Sequence, residues 1–219
     1  MPSDQKAIWQ RYYKERRDAL ISKVEDLSEY ETRRPRTPTG TNLIGIIKHV
    51  LNVEAVYLGA TFGRPFPHAE ELVTEKAFET DPQADWYATA DETTAGIIDL
   101  YRRVIAHCEQ TVELLDLDTV GHVQHWGGKE VTLHGILVHN FNDLSQHNGQ
   151  ADILREQVDG SVGWRRPGDN VPDGYDWPAY VARLSELAET FREQPASPSD
   201  VSGAGGARTH DPRIMSPLL

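Results

Sequence analysis

Residues 132–158 read TLHGILVHNFNDLSQHNGQADILREQV, and this stretch decides the fold. Leu133, Ile136, Leu137, Phe141, Leu144, Ile153 and Leu154 recur mostly at three- and four-residue steps, the period of one helix face. Thr132 supplies a side-chain oxygen at its start, and Gly160 is a C-terminal stop. A helix of this length with an apolar stripe needs other helices to bury it. The same helix carries His139, Asp143 and His147 at i, i+4 and i+8, which places all three along one stripe.

Working upstream, residues 42–54 read NLIGIIKHVLNVE and begin a helix over Leu43 to Phe62 that is apolar nearly all round, the most buried in the molecule. Thr41 or Asn42 is its N-cap. Before it, Arg33-Arg34-Pro35-Arg36-Thr37-Pro38-Thr39-Gly40 forbids helix continuation and reads as a loop. Trp9, Tyr12, Tyr13, Arg16, Leu20, Val24 and Leu27 mark a first helix from Asp4 to Leu27. Gly63 to Ala90, punctuated by Pro65, Pro67 and Pro82, is a long surface excursion of the kind that often borders sites. Asp91 reads as the cap of a further helix through Ile97, Ile98, Tyr101, Val104, Ile105, Cys108, Val112 and Leu115, ending near Asp116. Residues 118–130 form either a hairpin or an irregular link. Trp164 to Gly174 is a loop, and Asp176 caps an extra helix over about 176–194.

Four long helices without a central strand predict an all-α four-helix bundle with an extra C-terminal helix and long loops. One domain is expected over 1–194, its core over 4–160. The remainder, 195–219, is rich in Pro, Ser, Gly and Ala and is expected to be disordered. Residues 206–213 resemble out-of-frame translation and are assigned no function.

The 219 residues carry 34 Asp and Glu against 22 Lys and Arg, a net charge of -12, which argues against nucleic acid or an anionic membrane surface as a partner. The apolar runs at Leu43 to Leu58 and Leu133 to Val138 are broken by polar residues, so no membrane span is expected. Met1 to Arg11 lacks the apolar core of a secretory signal, so the expected location is cytoplasmic. Cys108 has no partner for an internal disulfide and reads as a small buried hydrophobe.

Imidazole and carboxylate are common ligands of divalent transition metals, and two of them one turn apart chelate an ion when a facing helix supplies a third. His49, in the middle of the most apolar helix, is the natural third partner for Asp143 and His147. The same spacing also fits a core histidine bonded to a carbonyl and an ordinary Asp143–His147 surface pair. Glu130 and His134 are a competing pair, while His122 and His125 either approach the site or face solvent. His68 and His107 have no partner spacing and read as structural. Arg102, Arg103, Arg155, Trp126 and Trp164 are candidates for an anionic or aromatic substrate, set against packing roles on helix faces.

Asn42 to Glu54, Thr132 to His139 and, most specifically, His147-Asn148-Gly149-Gln150-Ala151-Asp152-Ile153-Leu154-Arg155-Glu156 resemble the DinB-like superfamily. The branch indicated contains mycothiol-dependent maleylpyruvate isomerases and mycothiol transferase-like proteins, and the resemblance covers roughly Asp4 to Gly160. It implies an up-down-down-up bundle in which one metal is held by a His of the second helix and an H-x-x-x-H or E-x-x-x-H pair of the fourth. His49 takes the first position and His147 the last. Asp143 stands where the family has Glu or His, a departure of one methylene, and Gln150 stands where the branch often has His. His139, one turn away, either supports a ligand from outside the ion's own contacts or substitutes for one.

Mixed nitrogen and oxygen ligands suit Zn, Ni, Mn and Fe alike, and the resemblance further implies a low-molecular-weight thiol such as mycothiol as cofactor. The partner would be a small-molecule electrophile, the assembly a homodimer, and the reaction a transfer or isomerisation by a metal-activated thiolate. No residue is assigned as catalytic from the sequence. The alternatives are a non-catalytic, stress-associated binding or dimerising bundle and a metal-dependent hydrolase.

Overall fold

A computed structural model describes residues 5–163 and 174–192. Trp164, the predicted tail and His210 lie outside the described residues. The elements in order are α1 (Gln5–Ser22), α2 (Glu29–Arg33), α3 (Leu43–Tyr57), α4 (Glu75–Thr80), α5 (Thr94–Leu114), β1 (Val120–Val123), β2 (Lys129–Thr132), α6 (Leu133–Asp159) and α7 (Trp177–Glu189). Short 3-10 turns follow α3 and connect the two strands. Residues 5–163 form one compact unit; α7 belongs to another and presents Val181, Leu184 and Leu187 as exposed side chains.

The bundle consists of α1, α3, α5 and α6, and cross-helix pairs give its directions. Tyr13 reaches Leu137 while Arg155 reaches Ser22, so α1 and α6 run parallel. His49 meets His147 and Tyr57 meets His139, so α3 runs against α6. Lys48 pairs with Glu92, Glu54 with Tyr101 and Arg64 with Thr111, so α5 follows α3. The result is up, down, down, up, as the resemblance implies.

Every residue of α3 except Val56 is buried, because this helix touches both α5 and α6. Leu43–Phe62 has the length and the composition, with a mean hydropathy of 1.4, to cross a membrane, yet 89% of it is buried within the protein. The polar residues that break this stretch do not shorten it, and its apolar surface is spent on the bundle core. Among this apolar lining, Arg17 donates to Glu54 at 2.7 Å, and the Tyr101 hydroxyl donates to the same carboxylate at 3.0 Å. Removing one partner of such a pair strands a buried charge, at about 3–5 kcal/mol. Cys108 lies against the Glu54 carbonyl, and burial, reinforced by the charge of Glu54, pushes its thiol far above the ordinary range. It is a core residue and not a nucleophile.

Several boundaries differ from the sequence reading. α1 stops at Ser22 instead of Leu27, because Arg155 donates to the carbonyls of Ser22, Lys23 and Glu25 and the chain then turns through Asp26 at φ 60°. Ser28 caps the short α2, which the sequence reading did not contain. Asn42, not Thr41, caps α3, and Thr93, not Asp91, caps α5, each accepting from the backbone N–H three residues on. Residues 120–132 adopt the hairpin alternative, with Val120 opposite Thr132 and Val123 opposite Lys129. Gly127 and Gly128, at φ 73° and 75°, make the reversal that a residue with a Cβ resists.

The excursion after α3 is fastened back onto that helix by four polar side chains. Asn42 Nδ2 donates to the Trp86 carbonyl, Lys48 binds Glu92 and the Tyr87 carbonyl, His49 meets Asp85, and Asn52 accepts from Val73 N–H. Gly45 allows the closest approach: a Cβ there would lie 1.9 Å from the Trp86 carbonyl oxygen. The polar breaks in the apolar α3 sequence are thus the anchors of a roof over the helix.

Candidate metal centre

His49 of α3 and His147 of α6 face each other across the antiparallel pair, with ring centroids 4.9 Å apart. Asp143, one turn before His147, places Oδ1 3.4 Å from His147 Nε2. One ligand atom from each of the three lies within 4.8 Å of the others. Both imidazoles are buried, and Asp143 is half-buried.

The tautomers are set from outside. Asp85 Oδ2 lies 2.7 Å from His49 Nδ1; a carboxylate accepts only, so that nitrogen carries the proton and Nε2 turns to the site. Gln150 Oε1, 2.8 Å from His147 Nδ1, does the same for the second ring. Trp86 stacks on His49 with centroids 4.0 Å apart and meets His147 edge-on at 5.3 Å, covering the pair with an apolar wall.

This arrangement concentrates electron pairs. With Nδ1–H committed to Gln150, the Nε2 lone pair of His147 faces a carboxylate oxygen, which is repulsive unless a cation lies between them. A proton on Nε2 relieves the same repulsion, and the site favours it. Burial lowers the His147 pKa, but the bond and charge of Asp143, the Gln150 bond and the charge of Asp85 outweigh it, and the net shift is upward. Asp143 Oδ2 is buried without a hydrogen-bond partner, an orphan that a cation would satisfy. Two ligands about 2.0–2.1 Å from a tetrahedral ion are roughly 3.4 Å apart, which matches the Asp143–His147 separation of 3.4 Å. The residues therefore fit a divalent metal, and Asp143, though a methylene shorter than Glu, reaches the site.

His139 does not join this group. Its ring packs edge-on against Tyr57 at 5.0 Å and Trp126 at 4.9 Å, and burial lowers its pKa despite the opposing charge of Asp143. His125 accepts its place beside the same Tyr57, its Nε2 3.0 Å from the hydroxyl. Burial, then the charge of Asp143, pushes the Tyr57 pKa up to about 12.

The competing candidates take other roles. His122 is exposed and faces Glu130 across the hairpin, His134 packs on Trp9, and His107 meets the Arg64 carbonyl. His68, Glu70 and Glu71 also lie close enough to share an ion, but all are exposed and Glu71 is engaged by Arg103 at 2.6 Å. Arg155 caps α1, and Arg102 lines a surface groove with Lys14 and Glu109. Of the proposed substrate contacts within the described residues, Trp126 packs on His139, one turn of α6 before Asp143. Asp85 and Trp86 are the additions that sequence reasoning missed: they come from a segment without helical period, and only its description as an excursion bordering a site pointed there.

No curated protein sequence matches the chain. Among solved structures, a DinB-like protein from Bacillus cereus superposes with a TM-score of 0.54 at 17% identity, covering 72% of this chain and 95% of that one. That likeness supports the fold. A family model described as mycothiol-S-transferase matches residues 9–160, which span all four bundle helices and every residue of the centre. The chain belongs to the mycothiol-S-transferase family.

Proposed function

We propose that the protein is a divalent-metal-dependent transferase that joins a low-molecular-weight thiol, mycothiol by its family, to a small electrophile. The observation that carries this reading is the Nε2 lone pair of His147 facing Asp143 Oδ1, with Asp143 Oδ2 orphaned and the buried His49 alongside. His49 Nε2, His147 Nε2 and Asp143 would hold the ion. When bound, a divalent ion lowers the pKa of a thiol brought to it, so that thiolate is available near neutral pH.

The chain's own residues prepare that chemistry. Asp85 and Gln150 hold the Nδ1 protons of both rings away from the ligand positions, so the rings are already oriented for loading and only the proton shared between His147 Nε2 and Asp143 has to leave. Trp86 excludes water from one side, which strengthens every charge interaction beside it. Three protein ligands leave coordination positions for the thiol, as in catalytic sites and unlike closed structural ones. The thiol sulfur then forms a bond to the electrophilic carbon, the leaving group departs with its electron pair, and the thiol proton passes to solvent. Zn, Ni, Mn and Fe suit this mixed nitrogen and oxygen donor set, and a low-molecular-weight thiol places the work in the cytoplasm.

The test is elemental analysis of full-length protein beside His49→Ala and His147→Ala, with folding followed by circular dichroism. About one equivalent of ion, absent from both variants, and turnover that requires added thiol are the expected results. No ion after reconstitution with several divalent metals overturns the reading, and thiol-independent turnover of the electrophile with water would assign a hydrolase instead.

A further inference from the structure

A cleft of about 230 Å³ is lined by both Asp85, the residue that fixes His49, and His125, the residue bonded to Tyr57. Its floor is the continuation of the His49 stripe along α3: Asn52, Val53 and Val56 follow at i+3, i+4 and i+7, the spacing of one helix face. The excursion contributes Leu72 and Phe78 to the lining, and the hairpin contributes His122, Gln124 and His125. The volume falls below the roughly 300–1,000 Å³ of drug-sized sites, so the occupant is small.

The charges in the wall are one-sided. Glu75 and Asp85 line the cleft, and neither Lys nor Arg does. Burial and then the nearby His139 lower the His125 pKa, which disfavours its cation, and His122, the other imidazole of the lining, is exposed and faces Glu130. Lys48, on the same helix as the floor, is committed to Glu92 and the Tyr87 carbonyl. A carboxylate entering here would lose hydration and meet Glu75 and Asp85 with no Lys or Arg to neutralise it, while an aliphatic or aromatic body would meet Val53, Val56, Leu72 and Phe78.

We propose that this cleft holds the uncharged, largely apolar body of the electrophile and discriminates against carboxylate-bearing substrates. The identification of the occupant as the electrophile rests on the transferase reading above; the preference for uncharged ligands rests on the cleft wall. Gln124 and His125 offer polar partners for one neutral group of such a ligand.

The test compares 4-nitrotoluene with 4-nitrobenzoate, which share a ring and differ by methyl against carboxylate. Binding is followed by ligand-observed NMR on full-length protein, with and without metal. The expected result is binding of 4-nitrotoluene that is lost in Val56→Trp, and binding of 4-nitrobenzoate weaker by about tenfold or more. Val56 is 37% exposed, so added bulk there fills the cleft and leaves the core in place. Glu75→Lys adds a cation at the rim and is expected to narrow the gap between the two probes, whatever the fate of the Trp variant. Equal binding of both probes, or a gap that Glu75→Lys leaves unchanged, overturns the proposal. Probe binding requires neither thiol nor turnover. Cleft-specific binding without any bound metal would therefore sink the transferase reading alone, and a metal-loaded protein blind to these substitutions would sink the cleft alone.

Discussion

Asp85 Oδ2 approaches His49 Nδ1 to 2.7 Å, and both side chains are almost completely buried, so a residue of the excursion fixes the orientation of a ring on the core helix. Such carboxylate support is worth roughly 10–100-fold in metal affinity. Asp85→Asn keeps the shape and removes the charge, and metal affinity is expected to fall within that range while circular dichroism stays constant. A competition titration against a chelator measures it; unchanged affinity would show that Asp85 does not act through His49.

The upward shift of the His147 pKa carries a pH signature with a definite sign. A histidine whose folded pKa exceeds its unfolded value stabilises the fold fully below the unfolded value, about 6.5, and loses that contribution as pH rises through the folded value. His125 and His139, whose pKa values are lowered, act in the opposite direction and are common to wild type and variant. The difference in Tm between ion-free wild type and His147→Gln is therefore expected to shrink as pH rises above about 6.5. Because a metal must displace the same proton, apparent metal affinity should rise across that window. A Tm difference independent of pH would contradict the Asp143–His147 assignment.

Gly45→Ala places a Cβ 1.9 Å from the Trp86 carbonyl oxygen and 2.6 Å from its carbon, both backbone atoms that cannot swing aside. The expected cost is about 1–3 kcal/mol, as for other forced overpacking. Since Trp86 carries the wall over His49 and adjoins Asp85, metal affinity should drop with stability. Thermal unfolding and metal titration of the variant check both; an unchanged Tm would show that the roof moves freely.

How much of this was legible from the residues follows from where each one resides. His49, Asp143 and His147 are on long periodic helices, so the pattern offered their convergence as one candidate, beside a core histidine bonded to a carbonyl and an ordinary Asp143–His147 surface pair. The family resemblance added the order in which they combine and the directions of the helices. Asp85 could not be found this way: it lies 36 residues from His49 in a segment without period, and only the tertiary anchors at Asn42, Lys48 and Asn52 bring it home. The end of α1 was misjudged for a related reason, because Arg155 draws off its terminal carbonyls from a helix far along the chain. Arg155 itself stood as a substrate candidate set against a packing role, and its bonds to the end of α1 give it the latter.

The parallel pairing of α1 with α6 has a kinetic side. Tyr13 and Leu137 meet across a separation of 124 residues, so the chain between them must be drawn together before their bond can form. Loop-closure entropy makes such contacts late ones, whereas the pairing of α3 with α5 is closer along the chain. Since His147 and Asp143 ride on α6, the ligand set is complete only when the last long-range docking has occurred. An ion added during refolding should consequently leave the folding rate nearly unchanged and slow unfolding instead, acting as a latch on the finished bundle and not as a seed for it.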